Sequence, residues 1–321
     1  MISLTLLTPM AKTRIKKPQA YIETLYMNGL RGRMLRLPAP PKKIREILLV
    51  YGHHASIERM FGIAEDLNQY GGVTLPDLPG FGGMQSFYSI KEKPTLDNLA
   101  DYLAAFVKLR YKRKKVTIIG MSFGFVVVTR MLQKYPELLP KVNMLVSIVG
   151  FAHHEDFKIK RHVFLMLKTG ARICSSRLMS GFVRHVVLRP LFIKAAYKMV
   201  ADKHSKFKDA SQSERDRRID FEIGLWHSND VRTYMYTTVI MMSLDICNQR
   251  VDMPIYHVSV EHDRYFDNHI VEQHLKIIFP KVYLVKSKMP NHAPTVVADA
   301  KMAAPFIPTK LRKLLASAPS A

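Results

Sequence analysis

Cysteine, tryptophan and acidic side chains are scarce in this chain of 321 residues. Its two cysteines, Cys174 and Cys247, form no C-x-x-C pair, which argues against a structural zinc site or a redox motif. Two isolated thiols are typical of a reducing compartment. No apolar run is long enough to cross a bilayer, and the first positive charges follow the short apolar start, which is the wrong order for a secretory signal. We therefore expect a soluble, cytoplasmic protein.

Basic residues outnumber acidic ones by 49 to 26, which gives a formal net charge of +23. A surface of this kind attracts nucleic acid, anionic lipid headgroups or acidic substrates. No nucleic-acid-binding motif accompanies the charge, so we expect no specific nucleic-acid binding. We interpret the charge mainly as a solvated basic surface and allow a weak association with an anionic membrane surface. The oligomeric state is left open.

The order of the strand and helix patterns predicts an α/β protein. Alternating β patterns on either side of Asn28-Gly29 predict a hairpin. Strand and helix patterns then alternate over 44–149 and again from residue 254, which favours a parallel sheet with helices on both faces. We divide the chain into a basic N-terminal tail (1–20), a core (21–150), a helical insert (151–248), the second part of the core (249–315) and a C-terminal tail (316–321).

The most informative motif is Gly120-Met121-Ser122-Phe123-Gly124. It follows the apolar, β-branched run 116–119 and precedes a predicted helix over 125–135. A serine between two glycines at a strand-to-helix turn is the nucleophile elbow of a hydrolase. Small flanking residues let the serine hold a strained backbone with its hydroxyl exposed above the sheet. Ser122 is therefore the predicted nucleophile, and Met121 is a predicted substrate-binding residue.

A second motif, Tyr51-Gly52-His53-His54, follows a predicted strand that ends at Val50. A glycine at this point lets the backbone turn so that the next N–H groups face the serine. The backbone N–H groups of His53 and Phe123 are therefore predicted to form an oxyanion hole. Gly52 and His54 are predicted to contact the substrate. Adjacent histidines rarely chelate one ion together, so we expect no metal here.

Two later motifs supply a base and an acid. Asp263 follows a strand pattern, and His292 lies between the last predicted strand and the last predicted helix. His292 is predicted to take the proton from Ser122, and Asp263 to orient the imidazole. Asp267 and Asp245 are alternative acids, although Asp267 is also well placed to cap the helix that follows.

With these motifs in order, the chain resembles the α/β-hydrolase-fold proteins with a helical cap over about residues 21–315. The resemblance rests on the elbow, the triad candidates and three further runs: Leu49-Val50-Tyr51-Gly52, Asp77-Leu78-Pro79-Gly80-Phe81-Gly82 and Tyr135-Pro136. It implies an eight-stranded, mostly parallel sheet and a Ser-His-Asp triad, with no cofactor. Two departures stand out, because the family usually has histidine where this chain has Tyr51 and glycine where it has Val260.

The motifs favour a serine hydrolase that cleaves a small-molecule carboxylic ester or a related acyl substrate, such as a lipid ester, a lactone or a thioester. Carbon–carbon cleavage and acyl transfer can use the same triad and stay open. Serine at position 122 argues against the aspartate-nucleophile chemistry of dehalogenases and epoxide hydrolases. Two alternatives come from other classes: a non-catalytic α/β-hydrolase-fold protein that binds a ligand or partner, and a basic peripheral membrane or polyanion-associated protein.

Other residues of the predicted insert have plainer interpretations. His153-His154-Glu155-Asp156 contains metal-ligand residue types, but a solvated or substrate-facing loop is the favoured interpretation. Trp226, the only tryptophan, is predicted to belong to the core of the insert, with a substrate platform as the alternative. The methionines of the insert are predicted to line an adaptable apolar pocket or to pack between helices, among them Met166, Met179, Met199, Met241 and Met242.

Overall fold

The computed structural model describes residues 17–200, 211–261, 263–287 and 303–317. Within these residues, eight strands form a single sheet. The strands are β1 (Ile22–Met27), β2 (Leu30–Leu37), β3 (Glu46–Val50), β4 (Gly72–Pro76), β5 (Val116–Met121), β6 (Val142–Ile148), β7 (Ile255–Val260) and β8 (Val282–Ser287). Their order across the sheet is β1-β2-β4-β3-β5-β6-β7-β8.

The first two strands form the predicted hairpin. Asn28 and Gly29 connect them with φ angles of 52° and 74°. Two successive residues with positive φ are the geometry of a tight hairpin turn, and asparagine and glycine tolerate it best. β2 then pairs antiparallel with β4, so the hairpin extends one edge of the sheet.

The other strands run parallel from β4 through β3, β5, β6 and β7 to β8. This order confirms the eight-stranded, mostly parallel sheet that the resemblance implied. The loops that follow parallel strands meet at one edge of the sheet, the edge at which α/β enzymes usually bind ligands. The motifs after β3, β5 and β7 therefore share that edge.

Ten α-helices lie in the described part of the chain. They are α1 (Ile57–Asn68), α2 (Leu96–Arg110), α3 (Phe123–Lys134), α4 (Arg161–Cys174), α5 (Arg177–Phe182), α6 (Pro190–Val200), α7 (Gln212–Ser228), α8 (Val231–Met241), α9 (Asn268–Ile278) and α10 (Thr309–Ser317). Ser56 caps α1 as its sequence position suggests, because its hydroxyl accepts from the backbone N–H of Arg59. Helices α4 to α8 follow one another between β6 and β7, where the sequence predicts a helical insert.

These helices share a small apolar cluster of Val183, Leu188, Ile193 and Val231. Trp226 packs against this cluster, which confirms that it belongs to the core of the insert. Met241 and Met242 are buried, as helix packing predicts, whereas the prediction is wrong for Met166 and Met199. Their side chains are 65% and 80% exposed, so they neither line a pocket nor pack between helices.

Two element boundaries differ from the sequence prediction. β3 begins at Glu46 rather than at Ile44, which is 57% exposed. α3 begins at Phe123, two residues earlier than predicted. Gly124 lies inside its first turn, because the backbone of Tyr51 passes so close that no side chain fits there. Glycine disfavours a helix interior, but this tertiary contact overrides the local preference.

Candidate active site

Ser122 occupies the turn between β5 and α3 in a strained backbone conformation. Its φ is 49° and its ψ is −124°, which is rare for any residue with a side chain. Hydrogen bonds hold the turn on both sides. The Ser122 N–H donates to the carbonyl of Ile148 at 2.9 Å, and the Phe125 N–H donates to the Ser122 carbonyl at 3.0 Å. Such strain persists only where the surrounding structure fixes it, and it is concentrated at functional sites.

Three glycines allow the backbone to approach this serine closely. A Cβ atom on Gly120 would lie 2.6 Å from Cα of Phe125, and one on Gly124 would collide with the carbonyl of Tyr51. A Cβ atom on Gly52 would lie 2.8 Å from Cβ of Ser122 and 3.3 Å from the backbone nitrogen of Phe123. The loop after β3 therefore lies directly against the serine turn.

The two predicted oxyanion-hole donors lie on these facing backbones. The backbone N–H groups of His53 and Phe123 donate no hydrogen bond to any residue that the structure describes. The Phe123 N–H also begins α3, where the first N–H groups of a helix lack intrahelical partners. Both groups are therefore available to a ligand atom near Ser122.

The His53 side chain connects this loop to α8. Its Nε2 lies 3.1 Å from the carbonyl oxygen of Tyr234 and 3.0 Å from Oγ1 of Thr237. The centroid of its ring lies 4.0 Å from the ring centroid of Tyr234 and 5.6 Å from that of Phe81. Burial, and then the neighbouring His54, lower the pKa of His53 to about 3. The imidazole is therefore neutral near pH 7, and its Nε2–H donates to the carbonyl of Tyr234.

His54, the next residue, belongs to a buried ionic network that the sequence analysis missed. Its Nε2 lies 3.0 Å from Oε2 of Glu222 in α7, and the other oxygen of Glu222 pairs with the guanidinium of Arg59 in α1. Glu222 is fully buried and Arg59 is 2% exposed. The Arg59 guanidinium also donates to the His54 carbonyl at 3.0 Å. Glu222 follows Ile219 by three residues, so the two share one side of α7, but the sequence alone does not show that this side is buried.

Tyr51, which stands where the family usually has histidine, has a structural contact with the loop after β4. Its hydroxyl donates to Oδ1 of Asp77 at 2.7 Å and accepts from the backbone N–H of Leu78 at 3.2 Å. The second oxygen of Asp77 accepts from Nε of Arg33 at 2.6 Å. Burial raises the pKa of Tyr51, so the hydroxyl stays protonated and can donate. The tyrosine thus fixes the end of β3 beside Ser122.

Asp263 lies in the turn after β7. It is 6% exposed, and its Oδ1 accepts from the backbone N–H groups of Tyr265 at 2.7 Å and Phe266 at 3.1 Å. These bonds hold the carboxylate in place just after the carboxyl end of β7. His292, the predicted base, lies outside the described residues.

The two alternative acids have other contacts. Asp267 caps α9, because its Oδ1 accepts from the backbone N–H groups of His269 at 3.0 Å and Ile270 at 3.4 Å. The capping role predicted for Asp267 is thus confirmed. Asp245 accepts from the backbone N–H of Cys247 at 2.9 Å. Met121, a predicted substrate-binding residue, is 2% exposed at the end of β5.

The loop 153–156 is more ordered than its sequence suggests. Asp156 is fully buried, its Oδ2 accepts from the backbone N–H of His153 at 3.0 Å, and its Oδ1 lies 2.6 Å from Nδ1 of His274. The interpretation of this loop as solvated is therefore wrong for Asp156. His153, His154 and Glu155 each offer one ligand atom, and these atoms lie within 4.8 Å of one another. Through Asp156 the loop is joined to His274 of α9, so it anchors the start of the helical segment.

The comparison with known families agrees with this architecture. Residues 47–297 match the family described as the alpha/beta hydrolase fold. The chain belongs to this family. A search of curated proteins finds none whose sequence matches the chain significantly.

Solved α/β-hydrolase structures resemble this one over most of its length. The enol-lactonase from Burkholderia xenovorans LB400 has a TM-score of 0.62 at 12% identity, with 91% of this chain and 99% of that chain covered. An epoxide hydrolase from Bacillus megaterium has a TM-score of 0.59 at 12% identity, with 86% and 95% covered. A bacterial membrane phospholipase A has a TM-score of 0.61 at 16% identity, with 91% and 86% covered.

These similarities establish a hydrolase fold without defining the bond that is cleaved. The three structures are named for a lactonase, an epoxide hydrolase and a phospholipase. One α/β-hydrolase scaffold thus supports several reactions, and the reaction must be argued from the site.

Proposed function

We propose that the protein is a serine hydrolase that cleaves carboxylic esters through an acyl-enzyme on Ser122. The observation that carries the proposal is the left-handed backbone of Ser122, held between Gly120 and Gly124 and against Gly52. A nucleophile elbow with this backbone presents its serine hydroxyl at the sheet edge, which supports the same role for Ser122, a residue of intermediate burial. Serine at the turn favours acyl chemistry over epoxide opening, for which an aspartate nucleophile is expected.

The proposed reaction begins when His292 removes the proton of the Ser122 hydroxyl and the oxygen attacks the ester carbonyl. The N–H groups of His53 and Phe123 then bind the negative oxygen of the tetrahedral intermediate. When the intermediate collapses, the alcohol leaves with the proton that His292 returns to it. Water, deprotonated by His292, then attacks the acyl-enzyme, releases the carboxylic acid and restores Ser122.

In this proposal Asp263 fixes the tautomer of His292 and stabilises its positive charge. Two backbone N–H donors already hold the Asp263 carboxylate, which suits a group that must keep one orientation. Asp267 is the weaker candidate, because its oxygen caps α9. Asp245 stays as an alternative.

Helices α7 and α8 are proposed to act as a cap over the substrate. His53 contacts α8 and His54 contacts α7, so both helices pack on the loop that supplies an oxyanion donor. The aromatic rings of Phe81 and Tyr234 beside His53 make this region apolar. We therefore propose an ester with an apolar acyl or alcohol group, with Gly52, His54 and Met121 near the substrate and no cofactor. Reaction in the cytoplasm is part of the same proposal.

The test is the hydrolysis of a series of p-nitrophenyl esters of increasing acyl length by the wild type and by Ser122→Ala, His292→Ala and Asp263→Asn. Loss of a triad residue typically lowers kcat by four to six orders of magnitude, roughly, so Ser122→Ala and His292→Ala should abolish measurable turnover. The matched controls Asp267→Asn and Asp245→Asn should retain it. Turnover that survives in a folded Ser122→Ala protein would overturn the proposal, and loss in a control instead of Asp263→Asn would reassign the acid.

A further inference from the structure

Exposed apolar side chains are concentrated in one stretch of the helical segment. Of the sixteen large apolar side chains that are exposed in the described part of the chain, eleven lie between residues 165 and 199. Among them, Leu178 is 83% exposed, Leu191 is 75% exposed and Leu165 is 63% exposed. Single exposed leucines are common on protein surfaces, but a cluster of this size usually marks a binding surface.

The spacing places these side chains in stripes along the helices. In α4, Leu165, Met166 and Ile173 share one exposed side, since residues one and eight positions apart lie close together around a helix. The following helical segments repeat the pattern with Leu178, Phe182 and Val186, and then with Leu191, Phe192 and Met199.

The opposite sides of these helices are already buried. Ala171 in α4, Val183 just after α5 and Ile193 in α6 are at most 9% exposed. The helices are therefore apolar on two sides, one packed against the protein and one facing solvent. A helix that is apolar on more sides than the protein covers needs a second apolar environment.

The charge of the same stretch has one sign. Residues 157–200 contain ten lysines and arginines and no aspartate or glutamate. This run supplies a large part of the net charge of +23. Exposed basic residues, such as Arg161, Arg172 and Arg177, alternate with the apolar stripes.

We propose that α4, α5 and α6 form a surface that docks on an anionic lipid bilayer. In this arrangement the exposed leucines and phenylalanines enter the boundary between headgroups and acyl chains, while the lysines and arginines pair with lipid phosphates. No helix among the described residues is long and apolar enough to cross a membrane. In this proposal the chain lies on the lipid surface through α4, α5 and α6.

Charge decides between lipid and the other occupants of an apolar surface. A second copy of this chain, docked through the same surface, would bring exposed basic residues such as Arg161, Arg172 and Arg177 against the same residues of the first copy, in a stretch that has no acidic side chain to pair with them. A nucleic acid would satisfy the charge but would leave the leucines and phenylalanines in water. An anionic bilayer satisfies both the charge and the apolar stripes.

The test measures binding to vesicles and requires no catalytic turnover, so its result is independent of the proposed ester hydrolysis. The full chain is sedimented with vesicles of phosphatidylcholine alone and with vesicles that also contain phosphatidylglycerol, at low and high salt. We expect binding to the anionic vesicles only, with weaker binding as salt rises.

Two variants remove the features of the surface separately. The leucine variant combines Leu165→Ser, Leu178→Ser and Leu191→Ser and removes apolar contacts. The arginine variant combines Arg161→Gln, Arg172→Gln and Arg177→Gln and removes charge. All six side chains are exposed, so folding should be retained, which circular dichroism checks. We expect each variant to bind anionic vesicles more weakly, by roughly fivefold for each basic residue removed.

Matched controls change the same chemistry elsewhere on the surface. The charge control combines Lys112→Gln, Arg113→Gln and Lys115→Gln and removes three exposed charges. The apolar control combines Ile44→Ser and Leu109→Ser and removes two exposed apolar side chains. Both controls should bind nearly as the wild type does. The proposal would be overturned if the controls lost as much vesicle binding as the variants. It would also be overturned if the wild type did not bind anionic vesicles. A wild-type dimer that the leucine variant converts to monomer, without vesicle binding, would assign the surface to a second copy.

Discussion

Substitution of Glu222 by glutamine tests how the helical segment is attached to the sheet. Glu222 in α7 is fully buried and pairs with Arg59 in α1 and with His54 in the loop after β3. Glutamine preserves the shape but removes the negative charge, so the buried guanidinium loses the carboxylate that offsets its desolvation. Removal of one partner from a buried ion pair typically costs about 3–5 kcal/mol.

We expect the lower end of this range, roughly 3 kcal/mol, because Arg59 keeps its hydrogen bond to the carbonyl of His54. The assay is urea unfolding, followed by circular dichroism and by tryptophan fluorescence. Trp226 is the only tryptophan, and its ring centroid lies 4.5 Å from that of His54, so its fluorescence reports on this contact directly. Ester turnover should fall as well, because the same loop carries the N–H of His53.

Two companions make the Glu222 experiment decisive. The double variant Glu222→Gln with Arg59→Met removes both charges and should cost less than Glu222→Gln alone, because no unpaired charge stays buried. Glu137→Gln breaks a surface pair in which Glu137 is 58% exposed and Lys108 is 44% exposed. It should cost far less than Glu222→Gln, because water and salt screen an exposed pair. If Glu222→Gln costs no more than Glu137→Gln, the reasoning about the buried network is refuted.

Three further predictions concern Gly52, Tyr51 and the buried His257 of β7. Gly52→Ala should lower ester turnover by about tenfold or more and should also destabilise the fold, because its methyl group would lie 2.8 Å from Cβ of Ser122 and 3.0 Å from the carbonyl oxygen of Met121. Turnover equal to wild type would contradict this. Tyr51→Phe should lower the free energy of unfolding by about 1–3 kcal/mol, because Asp77 loses a buried donor, and Tyr51→His should lose less if the imidazole restores that bond. Burial lowers the pKa of His257 from 6.5 to about 4. Its contribution to stability is therefore present above pH 6.5 and is lost as the pH falls toward 4. In His257→Asn, the free energy of unfolding should depend less steeply on pH between 4 and 6.5.

Local patterns in the sequence predict much of this fold. Alternation in β1 and β2, together with Asn28-Gly29, specifies the hairpin because few other residues tolerate its turn. The glycines around Ser122 indicate a close approach of two backbones, and the structure has that approach at Gly52 and Gly124. Such features depend on neighbouring residues, so they can be read from one sequence.

Features that depend on distant residues were harder to predict. Glu222 contacts Arg59 and His54 only because α7 packs on the loop after β3. The residues next to Glu222 in the sequence do not indicate these partners. Asp156 is buried through its contact with His274, which lies far along the chain. The exposure of Met166 and Met199 depends on which sides of their helices the rest of the protein covers.

Three statements about the protein stay predictions: the division of the chain at residues 20, 150, 248 and 315, the cytoplasmic location, and the role of His292. The identity of the acid is one as well, although the capping bonds of Asp267 and the fixed carboxylate of Asp263 support the choice of Asp263.

The most direct test of the central claim is to locate the residue that a fluorophosphonate probe modifies. The folded wild type is labelled and digested, and the modified peptide is sequenced by mass spectrometry. We predict one modified residue, Ser122, and no labelling of Ser122→Ala or His292→Ala. Labelling of another serine, or no labelling of the wild type, would contradict the account of Ser122 as an activated nucleophile.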